Sequence, residues 1–126
     1  MRFRGIVKAD KNSEAGIPPD PKLMEAVGKF SESMIKAGIV LENGGLLPSS
    51  KGARLRVAGG KITVKDGPYA EAKELIGGYA ILQVKSKEEA IELSKKFLQV
   101  HIDAMGPSYE CELEVREMFD PADCHQ

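Results

Sequence analysis

The sequence predicts an α+β fold built on one antiparallel sheet, and three observations carry that prediction. Short runs of alternating apolar and polar residues occur near both ends of the chain and in its middle. Between them lie two longer segments whose apolar residues recur every three or four positions, the period of a helix. Finally, Gly59-Gly60 sits between two alternating runs, the composition of a tight hairpin turn.

The elements follow in order. Residues 2–9, RFRGIVKA, put Phe3, Gly5, Val7 and Ala9 on one face and Arg4, Ile6 and Lys8 on the other, so a first strand is expected. A polar loop rich in Gly and Pro then ends at Asp20-Pro21, a capping residue followed by proline at the first helical position. From Pro21 to about Ala37, Leu23, Val27, Phe30 and Met34 form an apolar stripe, and Gly38 stops the helix. IVLENGG resumes as a strand, and residues 53–67 form the hairpin, with one polar face and a place at the sheet's margin.

Leu75 to Val84 differs because both of its sides are apolar. Tyr79 and Ile81 alternate with Ala80, Leu82 and Val84, the pattern of a central strand covered on both faces. Ser86 and Glu89 make a capping box for a second helix, whose expected stripe is Ala90, Ile91, Ser94, Phe97 and Leu98. Cys111, Leu113 and Val115 alternate with Glu112, Glu114 and Arg116 in a last strand. With the hairpin set aside the order is βαββαβ, the ferredoxin-like arrangement. Two helices cover one face of the sheet, so the other face is expected to meet a second copy of the chain.

The 126 residues fit one domain, taken as 1–119 with a tail at 120–126, and 42% hydrophobic residues suffice for a core without staples. Eighteen basic against 19 acidic side chains, without a basic run, argue against nucleic acid as partner. No stretch approaches the length of a membrane span, and a cytoplasmic location is expected. Cys111 and Cys124 have neither metal-knuckle nor redox spacing and are read as free thiols. No cofactor is expected and no metal site: Cys124-His125, beside Asp120 and Asp123, is a poor ligand set on a tail.

The segment from GGLLPSSKGARLRV through VKDGPYAEAKELIGGYAILQVKSKEEAIE resembles the YCII-related proteins, in particular the branch named for a DGPF motif. The motif reads Asp66-Gly67-Pro68-Tyr69 in this chain, with tyrosine for phenylalanine. The resemblance implies a ferredoxin-like subunit of a dimeric α/β barrel. It assigns most members of the branch no activity, and it sets some beside extracytoplasmic-function sigma factors, an implied regulatory association. More distant relatives include a dehydrochlorinase with a His-Asp pair around the first helix. Anchored on Gly38, those positions fall near Val27 and on Lys36, and no histidine precedes His101. That activity is therefore not carried over.

The expected function is that of a homodimer binding a small molecule in a cleft near its interface. The alternative is a lyase or isomerase using Asp66, Tyr69 and His101. Asp66 is either a base or the polar residue of a structural corner, the reading preferred here. Tyr69, Glu71 and Lys73 are candidate ligand contacts, with a surface ion pair as the plain account of the last two. His101 falls on the buried stripe of the second helix, either as a catalytic group or as a hydrogen-bonded core histidine. Arg54 and Arg56 are read as a solvated edge rather than an anion site.

Overall fold

The computed structural model describes residues 1–69 and 75–121, which form a four-stranded sheet, a separate hairpin and a layer of helices. In chain order the elements are β1 (Arg2–Lys8), α1 (Lys11–Glu14), α2 (Pro21–Lys36), β2 (Val40–Gly45), β3 (Ala53–Ala58), β4 (Lys61–Asp66), β5 (Ile76–Gln83), α3 (Lys87–Met105) and β6 (Leu113–Glu117). The sheet runs β2-β5-β1-β6 with every neighbouring pair antiparallel. This α+β architecture is compatible with a ferredoxin-like fold.

The helix ends follow from local chemistry. Asp20 accepts a hydrogen bond from the Lys22 amide at 2.8 Å, and Pro21 opens α2 where a missing N–H costs nothing. The Glu89 amide donates to Ser86 Oγ at 3.1 Å, while the Glu89 carboxylate reaches back to the Lys85 amide at 3.3 Å. That return bond lands one residue before the cap, a displaced form of the expected box. Gly38, at φ +75°, takes the left-handed position that ends α2.

Phe3, Val40, Leu82, Val84 and Ala90 make the core, with Met34, Ile39, Ala80 and Leu93 packed against it. Leu93, absent from the expected stripe, packs against this core, and it is half-buried as Ile91, Phe97 and Leu98 are. One turn separates Ala90 from Leu93 and Ser94, and another leads to Phe97 and His101, so those residues share a face.

The hairpin departs from the expected sheet margin. Strands β3 and β4 pair with each other, from Ala53 opposite Asp66 to Ala58 opposite Lys61, and form their own two-stranded sheet. Strand β2 ends at Gly45, and Pro48 with a 3-10 turn at Ser49–Lys51 redirects the chain before β3 begins. One further short element was not anticipated. Asp10 caps α1 by accepting from the Ser13 amide at 2.7 Å, while Ser13 Oγ accepts from the Asp10 amide at 3.0 Å.

Candidate functional site

A cavity of about 970 Å³ opens between the two long helices and the sheet. Its size falls in the range of small-molecule sites. The walls are apolar: Leu23, Val27, Phe30 and Met34 from α2, and Leu93 and Phe97 from α3. Its floor is the helix-facing side of the sheet, with Gly5 and Val7 from β1 and Gly78 and Ala80 from β5. Polar groups gather at one end, where His101, Tyr109, Cys111, Asp10 and Ser13 line the space.

His101 is the central polar residue of that end. It is 7% exposed, lies on the inner face of α3 and places Nδ1 2.9 Å from the Phe97 carbonyl oxygen. A carbonyl only accepts, so in the neutral ring Nδ1 carries the proton and Nε2 presents a lone pair. Nε2 has no hydrogen-bond partner among the described residues, and no buried side-chain nitrogen or oxygen is left sealed without one. It therefore retains access to the open space. The ring is held on both sides, edge-on to Phe97 at 4.6 Å between centroids and stacked on Tyr109 at 5.6 Å. Phe30 extends this aromatic column at 6.1 Å from Phe97.

Burial and the nearby Cys111 and Asp10 push the Tyr109 phenol above its usual range. Burial, Asp10 and Glu112 do the same for the Cys111 thiol. Both groups keep their protons near neutral pH, so Cys111 is a poor nucleophile there. Asp10 is committed to the α1 cap, and among the described residues no carboxylate bonds the His101 ring. The histidine is thus an isolated acceptor without the carboxylate that orients a general base.

Asp66 and Tyr69 stand elsewhere. Asp66 ends β4 opposite Ala53, and neither residue lines the cavity that holds His101. The three candidate catalytic residues are therefore not assembled in that cavity. Instead the motif corner is clasped to the body of the chain. The Tyr69 amide donates to Ser49 Oγ at 3.1 Å, and Ser49 gives its amide and hydroxyl to the Glu14 carboxylate at 2.6 and 2.5 Å. The Gly67 amide donates to the Gly52 carbonyl at 3.1 Å, and the Gly67–Pro68 bond is cis. Tyr69 OH donates back to the Lys65 carbonyl, and the Arg54 guanidinium lies 3.9 Å above the Tyr69 ring centroid. Arg54 has a partner here, where a solvated edge was expected.

Glu71, Lys73, Cys124, His125 and Asp123 lie outside the described residues. Cys111 is a free thiol, and among the described residues no group of three or more His, Cys, Asp and Glu side chains is placed to hold a metal ion. No helix among them is long and apolar enough to cross a membrane. Sequence reasoning missed Glu14, Ser49 and the cavity floor. Gly67 was the available signal for Ser49, because glycine is favoured where another stretch of backbone approaches closely.

The fold and its helix-covered cavity define a small α+β protein with a ligand-sized interior. The family model for the YCII-related domain matches residues 1–100, and the chain belongs to that family. It is also 29% identical over 76 residues to an uncharacterised protein of Rhizobium meliloti (strain 1021), a match covering 60% of this chain and 61% of that relative.

Proposed function

We propose that this YCII-related protein binds one small, mainly apolar molecule in the cavity between its helices and its sheet, with His101 as the polar contact. The observation that supports this reading is the His101 ring. It is anchored through Nδ1 and packed against Phe97 and Tyr109, while Nε2 has no partner among the described residues at the polar end of a mainly apolar cavity. An acceptor kept in such surroundings orients a ligand that brings its own O–H or N–H. The missing carboxylate partner favours binding over acid–base turnover, and the lyase or isomerase reading loses support because Asp66 and Tyr69 lie outside the cavity.

The test is titration of ¹⁵N-histidine-labelled protein with small hydroxylated aromatic compounds, followed at the His101 ring nitrogens. Binding should move the Nε2 resonance, and His101→Phe, which keeps an aromatic ring but no acceptor, should weaken binding by about tenfold. Ligands that bind without moving that resonance, and equally well to the variant, would remove His101 from the site.

A second reading concerns assembly. We propose a homodimer whose contact includes the hairpin, because Leu55, Val57, Ile62 and Val64 share one of its faces and remain 63% to 73% exposed. Together they offer roughly 450 Å² per copy, over half of the roughly 800 Å² each partner gives to a standard interface. The open side of the main sheet carries Arg4 over Tyr79 at 5.4 Å, and Glu42 accepting from Tyr79 OH at 3.2 Å. Ile6 and Ile81 share that face, half-buried, so it offers apolar area beside these polar groups. Sedimentation should give a dimer that dissociates in Leu55→Ser/Ile62→Ser; a monomeric native protein would end this reading.

A further inference from the structure

The sheet that forms the cavity floor is stripped of side chains where its strands cross beneath the helices. Gly5 of β1 lies opposite Ala80 of β5, Gly78 follows two residues before Ala80, and Gly45 of β2 lies opposite Gly78. In this register the four positions adjoin on one face, and all line the cavity. The neighbours flanking this patch, Val7 and Leu82, are of ordinary size.

The fold does not demand glycine at every one of these positions. Gly78 is constrained, because a Cβ there would come within 3.2 Å of the Gly44 carbonyl oxygen. Gly5 is not. It is buried in the interior of a central strand, is not among the glycines with positive φ, and a Cβ added to it would meet nothing within 4 Å. Gly45 is nearly as free, with one backbone oxygen at 4.0 Å. Glycine within a strand weakens it through chain entropy and lost packing. A position that bears this cost with no steric reason and faces an open cavity is one where the missing side chain leaves room for something else.

We infer that the Gly5–Gly45–Gly78–Ala80 floor is a steric selector for flat ligands, with Gly5 its specificity-determining residue. The ligand class is a fused aromatic or conjugated ring that lies on the cavity-facing backbone of the sheet. Phe30 and Phe97 stand among the facing wall residues. Backbone peptide planes without Cβ atoms accept a planar face at van der Waals distance, whereas a puckered ring of equal size meets them at a few hydrogens only. This inference rests on the cavity-binding reading above.

The experiment compares naphthol with decalol, which share one carbon skeleton but differ in being flat or puckered, by calorimetry on the native protein. Naphthol should bind about tenfold or more tightly than decalol. Gly5→Val should raise the melting temperature of the free protein, because it supplies a good strand residue in empty space, while weakening naphthol by about tenfold or more. Gly45→Ala is the milder second variant. Ile6→Val, on the opposite face of β1, should leave naphthol affinity unchanged and so exclude adsorption to that face. Equal binding of both probes, or undiminished naphthol affinity in a folded Gly5→Val protein, would overturn the selector while leaving the cavity as a binding site. Failure of both probes to bind the native protein would overturn the cavity reading and the selector with it.

Discussion

Gly67→Ala gives the sharpest test of what the motif corner is for. A Cβ on Gly67 would overlap the Ser49 carbonyl oxygen and come within 2.6 Å of its carbon and 3.2 Å of the Ser50 nitrogen. These are backbone atoms, so no side-chain rotation relieves the clash, and the 3-10 turn at Ser49–Lys51 must move. Moving it strains the Gly67–Gly52 and Tyr69–Ser49 hydrogen bonds, each worth about 1 kcal/mol, and the Ser49–Glu14 pair, worth about 1.5–3 kcal/mol because its acceptor is charged. The expected loss is about 3–5 kcal/mol, or a fall in melting temperature of about 10–20 °C for a chain of this size. Urea unfolding of native and variant protein measures it, and Asp66→Ala serves as a comparison that leaves the clasp in place. A Gly67→Ala protein within about 1 kcal/mol of native stability would refute the structural account and return the turn to the list of candidate sites.

Other outcomes follow from the same contacts. Glu14→Gln keeps one acceptor oxygen but loses the charge that strengthens both Ser49 bonds, so it should cost about 1–2 kcal/mol by chemical denaturation. Ser86→Ala removes the α3 cap and should cost about 1 kcal/mol, with faster amide exchange in the first turn of that helix. Burial raises the Cys111 and Tyr109 proton affinities in the folded state, so their contribution is fully present below the ordinary thiol range. As pH rises through about 8.5 and then about 10 the unfolded chain loses these protons first, and stability falls. Melting curves across that range should show the decline, and Cys111→Ala/Tyr109→Phe should flatten it.

Much of the fold is legible in residue order because its causes are local. The alternation in RFRGIVK, the Asp20-Pro21 cap, the Gly38 stop and the Gly59-Gly60 turn each act through neighbours a few residues away. The central place of the Leu75–Val84 segment was legible too, since β5 lies between β2 and β1. The candidate site was much less so. His101 was visible as a histidine on a buried stripe, but that no carboxylate among the described residues bonds its ring, and that the nearby cavity carboxylate Asp10 caps α1, are tertiary facts. Asp66 and Tyr69 attracted functional readings because nothing in their own neighbourhood reveals how the corner is held. Tyr69 meets Ser49 20 positions back, and Ser49 meets Glu14 35 positions before that.

What the sequence by itself determined is the six strands, the two long helices, their order and the family, since hydrophobic period, capping and turn chemistry are properties of short segments. The tertiary structure alone decided where the space is. Register across β2, β5 and β1 brings Gly45, Gly78, Ala80 and Gly5 onto one face, and that register is a relation between strands that no single segment encodes. Contacts of Ser49 with Glu14 and Tyr69, likewise distant in the chain, make the DGPY turn a clasped corner and leave His101 as the candidate residue in the cavity, because a cavity is formed by what distant residues leave empty between them.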